Sequence, residues 1–268
     1  MYECLTSVPF NSAVASRFLK YYNETVQFHS TIEILKSPPA SYRQPAVNFA
    51  QGLAQIKAKV DAEEYQNQYA FEHELQSLVL SVHDAHFALY AGVLNQFTFG
   101  ANYELVTLSE DGYKAPEVYV DDGDLSACIA QPGCNPSPVK VMNGVPVLDY
   151  LTEFAANQSF GLLEPHADWN SLMLTRAVAI QGGLTTFGGA ATLYPGDELN
   201  ITLKNGSDVY NNWFVSLYNS PGWVLPQQLH SRQMLIGEQI HRATGHWRRL
   251  LQLLCPWPPA RIIRQQLC

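Results

Sequence analysis

No run of about 18 uninterrupted apolar residues occurs in this sequence, so nothing in it reads as a membrane span. Positive charge is scarce: 16 Lys and Arg stand against 24 Asp and Glu, a net charge of −8. That balance argues against a nucleic-acid partner, because phosphate binding needs a basic footprint. Gly-x-Ser-x-Gly is missing, and so is His-Glu-x-x-His. Gly182, Gly183, Gly188 and Gly189 lack the following helix and lysine of a phosphate cradle, so no nucleotide or other cofactor is expected. Among only five cysteines, Cys128 and Cys134 flank a Pro/Gly loop at a spacing that a small disulfide closes. Cys4, Cys255 and Cys268 have no obvious partners. No charged start, apolar run and cleavage site opens the chain, so a leader is expected to be missing from it.

What is present suits a folded protein. The 268 residues are 47% hydrophobic, enough for one large domain or two ordinary ones. Four glycosylation sequons, at Asn23, Asn157, Asn200 and Asn205, together point to the secretory pathway.

The first hundred residues read as helical. Asn11 or Ser12 caps a helix through Val14, Phe18 and Tyr22, a turn-rich helix runs to about Lys36, and Pro38-Pro39 ends that unit. Further helices fit Ala46 to Val60 and about Gln66 to Val82, and Phe87 to Phe99 has strand character. From Tyr103 the pattern changes to short strands and turns. Asn143-Gly144 marks a tight hairpin, and helices are expected at about 148–156 and 166–175. The reading is α+β: a helical region over 1–100, then a strand-rich domain over 101–221. Six of the nine arginines lie from Gly222 onward with one acid, so 222–268 carries +5 against −13 for the rest. Either this is a basic tail that meets membranes or nucleic acid, or it reflects a frame change or an unspliced intron.

Chemistry concentrates at His83-Asp84-Ala85-His86-Phe87, where two imidazoles and a carboxylate fall within one turn after a long amphipathic run. Histidine exchanges protons near neutral pH, and a neighbouring carboxylate fixes its tautomer. A zinc site would want a third protein ligand, which His73 between Glu72 and Glu74 does not supply in a recognised motif. As the alternative, the histidines simply cap a helix C-terminus and suit its dipole. Ser137-Pro-Val-Lys140 formally matches Ser-x-x-Lys, but it lies in a loop without the helix that would aim lysine at serine. In Val139 to Leu151 a strand, turn, strand and helix build a groove to which a peptide can add as a strand; an ordinary α+β linker domain reads equally well.

Five spaced segments, in order, resemble one family: Tyr2 to Asn11, Leu35 to Tyr42, His83 to Phe87, Leu163 to Asn170 and Tyr194 to Asp197. Together they look like the amino-terminal half of secreted fungal serine peptidases of family 41, relatives of the tail-specific and C-terminal-processing proteases and of a chlamydial protease-like factor. The resemblance implies a PDZ-like domain behind the helices, a polypeptide substrate, and His86 as general base with His83 and Asp84 in support. Ala85 stands where glycine is common in the family. The resemblance stops near Pro221, before the α/β domain that carries the nucleophilic serine, and a base without its serine loses nearly all the chemistry. Some similar proteins sit in fungal gene clusters for ribosomally encoded cyclic-peptide mycotoxins, where they are thought to cleave the precursor peptide. A non-catalytic, secreted peptide-binding fragment is the competing expectation.

Overall fold

The computed structural model of the chain describes residues 2–89, 92–159 and 161–217; the basic segment 222–268 lies outside the described residues. Three helices build the amino-terminal region: α2 (Ser12–Val26), α4 (Phe49–Asp61) and α5 (Gln68–Leu80), with short α1 (Tyr2–Thr6) before them and α3 (Ile32–Leu35) between. Each long helix opens on an asparagine. Asn11, Asn48 and Asn67 accept the N–H of Val14, Gln51 and Ala70 at 3.0, 3.1 and 2.8 Å. A side-chain cap of this kind satisfies an otherwise orphaned donor and is worth about 1 kcal/mol. On α4 the buried residues Phe49, Leu53, Ile56 and Val60 form one stripe, which packs against α2 and α5.

Helix α5 has no single apolar face because it serves two cores. Phe71, Leu75 and Val79 enter the helical core, while Tyr69 and Leu80 join the core of the strand-rich region. Leu5 and Val8, from the start of the chain, also belong to that second core. Buried Glu72 points the same way: its carboxylate accepts Val93 N at 2.6 Å, Leu94 N at 3.2 Å and Gln68 Nε2 at 2.8 Å. It therefore caps the 3-10 turn Leu94–Gln96 that leads into the sheets.

The strand character expected from Phe87 onward needs correction. Strand β1 is only Phe97–Gly100, and it pairs antiparallel with β8 (Phe214–Leu217). The apolar residues before it face different cores, Phe87 the helical one and Val93 and Leu94 the other, so no pleated row can form. Strands β2 (Glu104–Leu108) and β3 (Glu117–Asp121) make a hairpin, followed by α6 (Leu125–Ile129). A four-stranded antiparallel sheet has the order β5-β4-β6-β7, from β4 (Val139–Met142), β5 (Val145–Pro146), β6 (Glu198–Leu203) and β7 (Asp208–Asn212). Its β4–β5 turn is Asn143-Gly144, with φ of 48° and 81°, the paired positive values that this dipeptide favours.

Helix α7 (Val147–Gln158) packs on β4 and β5 and carries Phe154 into a cluster with Phe187 and Trp213, the Phe154 and Trp213 rings stacked at 5.5 Å. Two short helices, α8 (Pro165–Asn170) and α9 (Arg176–Ile180), follow. The strand, turn, strand and helix expected over Val139 to Leu151 are present as β4, β5 and α7, with β4 inside the sheet between β5 and β6. Beside α7 the outer strand is β5, two residues long, and Pro146 brings no N–H to a ladder.

Candidate functional site

The end of α5 sets the geometry. Ser81 closes the helix, and His83 adopts a left-handed φ of 53°, a conformation open to histidine but uncommon. The expectation that His83 to His86 share a helical turn is thereby corrected: the chain leaves the helix at His83 and reverses through the Asp84 O to Phe87 N hydrogen bond of 2.8 Å. Positive φ falls on His83 and not on Ala85, so the turn does not need a glycine at 85. Glycine is needed opposite. Gly161 has φ of 73°, and a Cβ there would lie 2.8 Å from both His83 Cα and Leu80 O. Only a bare backbone fits against this helix end.

His83 does not act as a free helix cap. Its ring is buried, with Nδ1 3.1 Å from Asp168 Oδ2. Asp168, on α8, is the hub of the interior: it also accepts Gln44 Nε2 at 2.7 Å, Leu162 N at 2.6 Å and the Ser159 hydroxyl. Burial would raise this carboxyl's pKa, but the hydrogen bonds from His83, Ser159 and Leu162 outweigh it and hold the group below the usual aspartate range. One carboxylate thus ties the helical region, through Gln44 and His83, to the loop after α7.

His86 is the opposite case. Its side chain is 95% exposed, and both its hydrogen bonds go to Asp84 Oδ1, from the backbone N at 2.9 Å and from Nδ1 at 3.1 Å. With Nδ1–H donated to the carboxylate, the Nε2 lone pair faces solvent, ready to take a proton. Partial burial pulls the Asp84 pKa up, but the His86 N–H, the His86 ring and the nearby His29 prevail, keeping it ionised below the usual range. The tyrosine of the Leu35 to Tyr42 segment completes the surroundings. Its hydroxyl is buried without a hydrogen-bond partner, and its pKa is raised by burial and then by the charges of Asp168 and Asp84.

Several residues singled out from sequence lie elsewhere. Cys128, in α6, and Cys134, in the loop after it, form a disulfide with Cα atoms 5.4 Å apart, and Cys4 is disulfide-bonded too. Asn23, Asn157, Asn200 and Asn205 are all exposed. The neighbours of His73 diverge: Glu72 turns inward to its backbone donors, while Glu74 accepts from Lys59 and Tyr65. Ser137 Oγ accepts Asn205 N, a loop contact. Among the described residues no cluster of three or more His, Cys, Asp or Glu could hold a metal, and no serine or cysteine is hydrogen-bonded to His86. Sequence reasoning missed Asp168, Gln44, Ser159 and Gly161. Asp168 lay inside the Leu163 to Asn170 segment, but nothing local marked it as a partner of His83.

The strand-rich half matches a family model, the CPAF-like PDZ domain, over residues 98–221. That region is similar to a CPAF-like PDZ domain. Two curated relatives of this chain are the Peptidase S41 family proteins phomP1′ and phomP1 of Diaporthe leptostromiformis. They are 28% and 27% identical over 172 residues, which is 63% of this chain but 26% of each relative. The chain therefore spans about a quarter of the length of the curated relatives it matches. A crystal structure of a CPAF mutant is a more distant likeness, at 14% identity and a TM-score of 0.44, covering 76% of this chain and 34% of that one. The resemblance to family 41 peptidases and the α+β architecture with a PDZ-like domain are borne out by the family model and the curated relatives.

Proposed function

We propose that this chain supplies the general base of a serine endopeptidase, with the PDZ-like domain presenting an extended polypeptide beside it. The observation that carries the reading is the exposed His86, its Nδ1 on Asp84 and its Nε2 open. In the proposed reaction Nε2 takes the hydroxyl proton as a serine oxygen attacks the peptide carbonyl, and later gives it to the leaving amine. Asp84 holds the ring and stabilises the imidazolium. The serine comes from outside residues 2–217. His83 plays no chemical part; buried against Asp168, it fixes the turn. Fungal relatives named as S41 family proteins support a polypeptide substrate, and a precursor peptide in cyclic-peptide mycotoxin biosynthesis is the finer reading. Passage through the secretory pathway is proposed on the exposed sequon asparagines and the disulfides.

The test is to read the genomic sequence past codon 221 in all frames and to express any longer protein it encodes. A glycine-flanked serine, labelling by a fluorophosphonate probe and hydrolysis of an unstructured peptide are expected, with His86→Ala lowering kcat by about 10³-fold or more. Stops in every frame would leave the peptide-binding reading in its place. The 268-residue chain by itself is expected to show neither turnover nor labelling.

A further inference from the structure

The contacts of Asp84 continue away from His86, into the helical region. While Oδ1 serves His86, the other oxygen, Oδ2, lies 3.3 Å from His29 Nε2. His29 is held from two more sides. Its Nδ1 is 3.0 Å from Thr31 Oγ1, and its ring meets Phe87 edge-on, with centroids 4.8 Å apart. Phe87 in turn packs edge-on against Phe49 at 5.0 Å, inside the helical core. The His29 side chain is 17% exposed, against 95% for His86. So the imidazole on one carboxylate oxygen is fixed, and the imidazole on the other is free.

We infer that His29 is a positioning residue for His86, acting through Asp84; the inference rests on the reading of His86 as general base. With His29 neutral, the arrangement admits one consistent placement of protons. Thr31 Oγ–H donates to His29 Nδ1, which puts the proton of a neutral His29 on Nε2, where it donates to Asp84 Oδ2. With Oδ2 held, the carboxylate cannot turn about its own axis, and Oδ1 stays in line to accept from His86 Nδ1–H. The lone pair of His86 is thereby kept on Nε2, the nitrogen that faces outward. An aspartate on an exposed turn, anchored at one oxygen alone, would let the His86 ring flip to the Nε2–H tautomer that free histidine favours. A half-buried histidine that orients the carboxylate behind a reacting imidazole does the work of an outer partner in a metal or acid–base site.

The experiment is nitrogen NMR of the whole 268-residue chain labelled at its histidines, at a pH alkaline enough for neutral imidazoles. In the wild-type chain His86 is expected mainly as the Nδ1–H tautomer. His29→Phe keeps a ring against Phe87 but removes the donor, and should shift the His86 tautomer ratio about two- to tenfold toward Nε2–H, the range set by one hydrogen bond. His29→Gln, which restores an N–H donor, should recover most of the wild-type ratio; a purely structural role would give no such rescue. Thr31→Val should move the ratio the same way by less, and it serves if His29→Phe does not fold. Unchanged His86 nitrogen shifts in folded His29→Phe, or in Thr31→Val in its place, would overturn the inference. Asp84→Asn separates the two levels: if it too leaves the ratio unchanged, the orienting carboxylate, and with it the reading of His86, fails.

Discussion

Two aspartate–histidine pairs flank the same turn, and each is 3.1 Å long. In the inner pair the side chains of His83 and Asp168 are 9% and 5% exposed; in the outer pair those of His86 and Asp84 are 95% and 28% exposed. Equal distances here carry opposite consequences. The inner carboxylate is saturated by donors from Gln44, His83, Ser159 and Leu162, so its histidine has nowhere to go. A charge removed from water must be fully paired, and the Asp168 carboxylate is. An exposed pair contributes little stability, because water competes for both partners. Its value is geometric: it sets which nitrogen of His86 is left open.

Breaking the inner pair should give the largest effect. Asp168→Ala removes the acceptor of four donors, three of these bonds buried, and is expected to cost about 3–5 kcal/mol, read as a shift of the denaturant midpoint. Gly161→Ala attacks the same turn from the backbone, adding a Cβ at left-handed φ against His83 and Leu80. A cost of about 1–3 kcal/mol is expected, with the His83 and His86 resonances displaced.

Acid sharpens the comparison further. The Asp168 pKa is held below its ordinary value, so its contribution is full above about pH 3.9 and is lost as pH falls through the lowered native value. Denaturation across a pH series should show Asp168→Asn furthest below wild type near neutrality, with the gap closing in acid. Glu72 should behave in reverse. Burial raises its pKa, so its contribution is full below about pH 4.3 and is lost as pH rises through the raised native value. The gap between wild type and Glu72→Gln should therefore narrow on going from acid to neutrality. The smallest effect belongs to the outer pair: Asp84→Ala should cost about 1 kcal/mol or less by the same measurement.

Local signals in the sequence were readable, and long-range ones were not. Asn11 and the Asn143-Gly144 turn act within three or four residues of themselves, so their caps and φ values follow from residue type. The apolar face of α4 was equally plain. Helix α5 falls where its period puts it, but Tyr69 and Leu80 serve a second core that the period does not reveal, and the segment from Phe87 misled because its apolar residues divide between two cores. At the site, His86 and Asp84 were legible as neighbours in sequence. Asp168 and His29 were not, since each meets the turn only through folding. The ordered segments that carried the family resemblance gain a physical sense here. Leu35 to Tyr42, His83 to Phe87 and Leu163 to Asn170 meet around Asp168 and Asp84. Tyr2 and Tyr194, from the two remaining segments, pack with ring centroids 5.1 Å apart.

The most direct measurement of the difference between the pairs is carbethoxylation of the native chain with diethylpyrocarbonate, followed by peptide mass spectrometry. The reagent needs an accessible, unprotonated imidazole nitrogen. His86 should react at least as fast as the exposed His166, whose side chain is 69% exposed, and His83 should stay unmodified until the chain unfolds. Modification of His83 at the rate of His86, or protection of His86 in the native chain, would contradict the division into a holding pair and a reacting one.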